Sequence, residues 1–229
     1  MKSSLQIEKP LFTVDSVLFT VEEGELKVLM ARRAEPPFAG QWGLPGGFID
    51  ISIDQNTDMT ARRKLIDKTG LSPNYLEQLQ VISGAHRDPR GFSVTLAYYA
   101  LVAHQVVESK IASVDSARWI SMRELSHFTI AFDHQHIIEL ALQRLQQKTL
   151  YSMIPVFCLP KKFSITQLMT VIEAIIGKSI QRKSLMRRIE ASQMFDISDE
   201  KISSGGRSAH LYALRPEADV LNFERNLGA

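Results

Sequence analysis

The chain has 229 residues, of which 45% are hydrophobic and 23% charged, and its formal net charge is +2. This composition is typical of a globular protein and excludes a long disordered chain, and the length suits two domains better than one. The lone cysteine, Cys158, excludes internal disulfide bonds and a cysteine-based zinc site, and its apolar neighbours predict a buried, inert thiol.

The first ten residues contain no apolar segment of signal-peptide length. No later run approaches the roughly 20 apolar residues that a membrane-spanning helix needs. We therefore expect a soluble, cytoplasmic protein with no membrane partner.

The first 150 residues predict a mixture of strands and helices. Strands are expected at 11–20, 25–33, 42–49, 75–87, 93–104 and 115–120, the third of them short and broken by glycines, and helices at 57–69 and 132–148. The first two strands should form a hairpin, because Glu22, Glu23 and Gly24 separate them. Gly70 is the stop signal of the first helix, and Asp133 is the expected N-cap of the second.

The pattern changes near residue 150. Ser164 and Gln167 have capping-box spacing and predict a helix over 165–176, which Gly177 ends. A second short helix over 181–192 and a terminal hairpin follow, with a turn at 203–206 and a strand at 209–215. The charge also changes, from 16 basic and 17 acidic residues in 1–150 to 11 and 8 in 151–229. We therefore predict two domains, 1–150 and 151–229.

The segment 46–71 resembles a Nudix box, whose pattern is G-x5-E-x7-R-E-U-x-E-E-x-G-U with U aliphatic. The matching residues are the entry Leu44-Pro45-Gly46-Gly47-Phe48 and, later, Arg63, Leu65, Gly70 and Leu71. The resemblance covers about 10–145 and implies a Nudix-like α/β/α sandwich.

Three catalytic glutamate positions of that pattern are occupied here by Lys64, Asp67 and Lys68. The spacing from Gly47 to Arg63 is two residues longer than the pattern, and the first box glutamate has no secure equivalent, with Asp54 or Gln55 nearest. Positions i, i+3 and i+4 share one helix face, which here carries net charge +1 instead of −3. Because Mg²⁺ requires hard oxygen ligands, we expect no catalytic metal and no catalytic residues.

Two readings of the lysines remain open. Lys64 and Lys68 are either solvated surface charges, with Asp67 as a local partner, or they replace the metal's charge against a bound diphosphate. Similarly, Arg87 and Arg90 lie either in an ordinary exposed turn or against phosphate and ribose oxygens. His134 and His136 have no third ligand nearby in the sequence, so we predict no metal site there.

The broken box, the R-D-P-R-G turn at 87–91, the A-F-D-H helix start at 131–134 and the short C-terminal domain together resemble one family. These are the Nudix-related transcriptional regulators of NAD metabolism (NrtR). The resemblance implies that ADP-ribose or a related nucleotide is the effector and that no cofactor is required. It also implies a homodimer whose winged helices bind palindromic operators of NAD biosynthesis or salvage genes, with ligand weakening DNA binding. The expected effector-binding residues are Arg33, Phe38, Trp42, Gly46, Gly47, Lys64, Lys68, Arg87, Asp88 and Arg90.

The helix at 181–192 has one apolar face and one basic face, as a DNA-recognition helix does. Leu185, Met186 and Ile189 can pack inward, while basic and small polar side chains point elsewhere. The expected DNA-binding residues are Lys161, Lys162, Arg182, Lys183, Ser184, Arg187, Arg188, Lys201 and Arg207. The alternative is a solvated amphipathic helix.

The fold class expected is therefore α+β, a Nudix-like sandwich followed by a winged helix-turn-helix domain. The function expected is a ligand-responsive transcriptional repressor that binds ADP-ribose without hydrolysing it. The alternatives are a divergent Nudix hydrolase acting on ADP-ribose or a similar nucleotide, and a nucleotide-binding scaffold without a DNA role. In a repressor, the helix at 132–148 would be the lever between the domains.

Overall fold

The protein is described from a computed structural model, which covers residues 9–104, 114–204, 207–218 and 220. Its N-terminal strands are β1 (Leu11–Glu22), β2 (Glu25–Arg33), β3 (Trp42–Gly43), β4 (Gly46–Phe48), β5 (Tyr75–Gly84), β6 (Ser93–Leu101) and β7 (Val114–Ser121). The main path of this sheet runs β3-β2-β1-β6-β5, with β4 paired to β1 and β7 paired to β2. The strand expected at 42–49 is broken as predicted, but the break lies at Leu44 and Pro45, and its two parts pair with different strands.

Two helices cover the two faces of this sheet. Helix α1 (Thr57–Thr69) buries Ala61 and Leu65, and helix α2 (His134–Thr149) buries an apolar stripe on the opposite face. Strand alternation divides β1 between them, because Leu18 packs with Leu65 while Val17 lies in the cluster of α2. The predicted α/β/α sandwich is therefore confirmed.

The predicted ends of α1 are confirmed by its caps. The Asn56 side chain accepts a hydrogen bond from the backbone N–H of Met59 at 2.9 Å. Gly70, with φ of 74°, adopts the left-handed conformation that ends the helix. These caps fix the rotation of α1, and so they fix which side chains face the sheet edge at β4.

The C-terminal domain is a winged helix. It contains β8 (Lys162–Phe163), α3 (Ile165–Ile176), α4 (Arg182–Ser192), β9 (Phe195–Ser204) and β10 (Arg207–Leu214). The capping box of Ser164 and Gln167 is present, and Gly177 ends α3 as predicted. The three strands pair in the order β8-β10-β9 and bury Phe163 and Phe195 against the helices.

The two domains share one apolar core. Buried residues of a 3-10 turn, Ile154–Cys158, connect the α2 side of the sandwich to α3. Cys158 is buried there as predicted, and burial raises the pKa of its thiol to about 12. The amide of Gln146 in α2 also donates to the carbonyl oxygen of Ile175 at 3.0 Å. No helix in the described part of the chain is both long and apolar enough to span a membrane.

Candidate functional site

A pocket of about 310 Å³ opens at the end of the sandwich where β1, β4, α1 and the start of α2 meet. Eight of the ten predicted effector-binding residues line it: Arg33, Gly46, Gly47, Lys64, Lys68, Arg87, Asp88 and Arg90. The sequence thus predicted most of this pocket's polar wall. Whether these residues bind a ligand stays a prediction.

Two glycines, Gly46 and Gly47, leave open the space in which the pocket extends to strand β1. A Cβ atom at Gly46 would lie 2.2 Å from Oδ1 of Asp15 and 2.4 Å from the carbonyl oxygen of Val14. A Cβ atom at Gly47, where φ is 147°, would lie 3.5 Å from Nζ of Lys64. Side chains at these two positions would fill the space between β1 and α1.

The lysines of the altered box face this pocket. Lys64 and Lys68 are half-buried, and no carboxylate among the described residues lies within ion-pair distance of either ammonium group. Burial lowers the pKa of Lys68. The positive charges of Lys64 and Arg33 lower this pKa further, whereas the carboxylate of Asp15 raises it. Asp67 instead pairs with Arg63, at 3.4 Å. The expectation that Asp67 is the partner of the lysines is therefore wrong, and a role of the lysines against a diphosphate stays a prediction.

A remnant of the box survives beside the pocket. The Asp54 carboxylate accepts hydrogen bonds from Nε and Nη2 of Arg63 at 2.7 and 2.5 Å, and this pairing holds the pKa of Asp54 far below its ordinary value. The box face itself offers Lys64, Asp67 and Lys68, and two ammonium groups with one carboxylate do not fit Mg²⁺. The described residues contain no group of three potential metal ligands.

The loop between β5 and β6 supplies two paired arginines. Arg87 donates to both carboxylate oxygens of Asp133, at 2.9 and 2.8 Å, and its side chain is only 9% exposed. Arg90 donates to both oxygens of Asp88, at 3.0 and 2.7 Å, and lies over the ring of Phe48. Arg87 is therefore not an exposed turn residue. Asp133 occupies the N-cap position of α2 as predicted, but its side chain pairs with Arg87 and accepts no capping hydrogen bond from the helix.

The floor of the pocket contains two polar residues that the sequence analysis did not assign to it. Asp15 lies in the middle of β1, and His134 begins α2; their side chains are 10% and 6% exposed. His134 Nε2 lies 3.9 Å from Asp15 Oδ1, and burial lowers the pKa of the imidazole. Asp15 carries no local motif, but a carboxylate within the buried, largely apolar part of β1 was a detectable signal.

A second hollow lies next to the pocket and shares Arg87, Asp88 and Phe132 with it. Phe38 lines this hollow, with its ring centroid 4.8 Å from that of Phe132. Both phenylalanines have positive φ, 63° and 57°, a conformation that costs energy for a side chain of this size. The prediction for Phe38 thus holds only for the neighbouring hollow.

Trp42 does not line the pocket, and its predicted effector role is corrected. Its ring packs edge-to-face on Phe128 and under the guanidinium of Arg118. Alternation along β3 directs the next residue, Gly43, towards His134, with 3.2 Å between a notional Cβ and Nδ1. Trp42 therefore points away from the pocket.

The exposed side of α4 forms the candidate DNA interface. Arg182, Lys183, Ser184 and Arg187 are exposed, whereas Leu185 and Ile189 are buried. The predicted DNA contact of Arg188 is corrected. Its guanidinium donates to the backbone carbonyl oxygens of Thr149, at 3.0 Å, and of Ser152. It lies three residues after Leu185 and so shares the packed face.

The remaining predicted DNA contacts lie around the three-stranded sheet. Lys161 is exposed, and Lys162 pairs with Glu200 of β9 at 2.5 Å. The side chains of Lys201 and Arg207, and the glycines of the predicted turn at 205–206, lie outside the described residues. The described candidate interface is therefore α4 together with Lys161.

Comparison with known proteins places both domains. The pattern of the NrtR DNA-binding winged helix domain matches residues 155–214, and that of the NUDIX domain matches 11–141. The chain is 37% identical over 218 residues to the "ADPR responsive transcriptional repressor NtrR" of Acinetobacter baylyi, covering 95% of this chain and 87% of that protein.

Solved structures agree with this. Shewanella oneidensis NrtR in complex with a 27mer DNA is 44% identical, with a TM-score of 0.87, and the match covers 95% of this chain and all of that one. The NUDIX domain of the same Shewanella protein in complex with ADP-ribose is 43% identical, with a TM-score of 0.60 over 62% of this chain and 93% of that chain.

Proposed function

The chain belongs to the NrtR family of Nudix-related transcriptional repressors, and we propose that it releases its operator when ADP-ribose occupies the pocket described above. Its proposed partners are ADP-ribose and a palindromic operator in double-stranded DNA, which it binds as a homodimer. The proposed division into domains remains 1–150 for sensing and 151–229 for DNA binding. The regulated genes would be those of NAD biosynthesis or salvage.

The observation that carries this proposal is the cationic wall at the altered box. Lys64 and Lys68 face the pocket with no ion-paired carboxylate among the described residues, and the partly buried guanidinium of Arg33 lies on the same cavity. A diphosphate would supply the missing negative charge, and lysine is an effective point-charge binder of phosphate. The adenine would then occupy the neighbouring hollow, against Phe38 and Phe132.

Binding without hydrolysis follows from the same residues. Nudix hydrolysis needs Mg²⁺ against the diphosphate, and the box face here carries two ammonium groups where carboxylates would hold the metal. We therefore propose that no cofactor takes part and that the Lys64–Lys68 face holds the diphosphate itself. AMP release from ADP-ribose, assayed with and without Mg²⁺, tests this. Robust Mg²⁺-dependent release would favour the alternative, a divergent hydrolase.

The proposed path from effector to DNA is α2. Its first residue, His134, borders the pocket, the preceding Asp133 borders the neighbouring hollow, and its 16 residues span about 24 Å. At its other end, Lys148 donates to Glu77 of β5 at 2.6 Å, and the carbonyl oxygen of Thr149 accepts from Arg188 of α4. A ligand that shifts the start of this helix would therefore move the recognition helix with it.

In a symmetric dimer, such a movement changes the distance between two recognition helices. These helices must match half-sites separated by about one helical turn of DNA. The exposed residues Arg182, Lys183 and Arg187 are proposed to contact the DNA, with Ser184 and Lys161 on the phosphates. Scattering profiles of the free and ADP-ribose-bound protein test this, and superimposable profiles would contradict the proposed movement.

A further inference from the structure

The floor of the pocket has the opposite charge to its wall. The Asp15 carboxylate accepts a hydrogen bond from the hydroxyl of Thr95 through Oδ2, at 2.7 Å. Its other oxygen, Oδ1, accepts no hydrogen bond from the described residues, although the side chain is nine-tenths buried and lines the cavity. Because Oδ1 opens onto the cavity and its hydrogen-bonding capacity is not used within the described residues, a donor on a ligand can reach it.

His134 supplies the complementary group. The backbone N–H of Leu44 donates to Nδ1 of His134 at 2.8 Å, so the proton of the neutral ring resides on Nε2. Nε2 lies 3.9 Å from Asp15 Oδ1. An oxygen atom placed between them could lie within about 2.8 Å of both, so one hydroxyl can donate to Asp15 and accept from His134.

A terminal phosphate group is a poor fit for this pair of interactions. Its second pKa is about 6, so near neutral pH it is mostly dianionic, and its negative charge would be brought against the carboxylate. The lysines and Arg33 would hold the diphosphate on the wall, so the group at the floor is whatever caps the second phosphate. A hydroxyl-bearing sugar fits there, and a free phosphate terminus does not.

We infer that Asp15, assisted by His134, is a specificity-determining residue that selects nucleotides whose diphosphate is capped by a sugar and rejects nucleotides that end in phosphate. The inference rests on the proposed function, because it takes the pocket to be the ADP-ribose site. It adds the basis on which ADP-ribose is distinguished from ADP, which shares its adenosine and diphosphate.

Calorimetric titration of the full chain with ADP-ribose and with ADP tests the inference. The wild type should bind ADP-ribose at least about tenfold more tightly than ADP, since rejection by an unpaired or like-charged buried group is strong. In Asp15→Asn, ADP should bind more tightly and ADP-ribose more weakly, so the ratio should shrink about tenfold. Glu139→Gln removes the same charge from the exposed side of α2, away from the pocket, and should leave the ratio unchanged.

Three results are distinguishable. An unchanged ratio in a folded Asp15→Asn protein overturns the inference and leaves the proposed function intact. Failure of the wild type to bind ADP-ribose at all overturns the proposed function as well. If the variant does not fold, the wild type is titrated with the methyl ester of the ADP β-phosphate, which caps the diphosphate without a hydroxyl. Binding of this ester as tight as that of ADP-ribose would overturn the inference, whereas a loss of about tenfold or more supports it.

Discussion

The guanidinium of Arg87 binds both carboxylate oxygens of Asp133, at 2.9 and 2.8 Å, and thereby joins a wall of the effector pocket to the residue that precedes α2. The pair is mostly buried, and Arg87 also donates to the hydroxyl of Ser93 at the start of β6. A ligand phosphate that attracts Arg87 would compete with Asp133 for the same donors. A ligand in the pocket would thus act on the start of α2 by weakening this ion pair.

Replacing Asp133 by asparagine should weaken the response to ADP-ribose more than it weakens DNA binding. The change removes a charge-assisted interaction worth about 1.5–3 kcal/mol and frees Arg87 for the ligand. We expect ADP-ribose to bind at least as tightly as to the wild type while displacing less operator DNA, as measured by fluorescence anisotropy. Glu139→Gln, on the exposed side of the same helix, is the control. Equal displacement by wild type and variant would refute the role of the pair.

Lys68→Met should make the protein more stable and less able to bind its effector. The ammonium group is partly buried and forms no ion pair within the described part of the chain, so it carries a desolvation cost that a methionine does not. A gain of about 1 kcal/mol would raise the melting temperature by roughly 2–4 °C in a chain of this size. ADP-ribose affinity should fall about tenfold or more. The exposed Lys9→Met change controls for loss of a lysine, and a drop in stability without loss of affinity would contradict the prediction.

The affinity for ADP-ribose should fall as the pH rises towards 10.5, the ordinary pKa of a lysine. Because the pKa of Lys68 is lowered in the free protein, its ammonium deprotonates earlier than that of an exposed lysine. A bound diphosphate favours the charged form, so binding takes up a proton in this range and weakens with increasing pH. Titrations at several pH values should show this fall in the wild type. The same slope in Lys68→Met would rule out Lys68 as its source.

Arg187 and Arg188 are neighbours with different expected roles. Arg187→Ala should cost about 1–3 kcal/mol of operator affinity if the side chain reads a base, with little effect on the melting temperature. Gel shifts with operator and with unrelated DNA measure the loss and its specificity. Equal losses on both DNAs would assign Arg187 to the phosphate backbone instead.

Arg188→Ala should destabilise the junction between the domains. Its guanidinium satisfies the carbonyl oxygens of Thr149 and Ser152, and burial lowers its pKa, so its loss leaves these acceptors unpaired. We expect a lower melting temperature and faster amide exchange around residues 149–152. If the variant has unchanged stability but fails to bind DNA, Arg188 belongs to the DNA interface after all.

The sequence predicted the elements whose signals are local. The ends of α1 and α3 follow from Gly70, Gly177 and the capping box of Ser164, all of which act within a few residues. The lysines of the altered box were placed on the pocket because i, i+3 and i+4 spacing determines one helix face.

The floor of the pocket could not be predicted in the same way. Asp15 and His134 are 119 positions apart in the chain, and they meet only because β4 pairs with β1 and α2 starts beside Leu44. Trp42 was misplaced for a related reason: nearness to Gly46 in sequence does not decide which side of a two-residue strand faces the pocket. Only the register of β3 on β2 decides this.

The most direct test of the account is the affinity of the full chain for a palindromic operator upstream of NAD-metabolism genes, measured by gel shift with graded ADP-ribose. We expect a specific complex that dissociates as ADP-ribose increases, and we expect loss of the complex in the Arg182→Ala, Arg187→Ala double variant. No specific complex with any such operator, or a complex that ADP-ribose leaves unchanged, would contradict it.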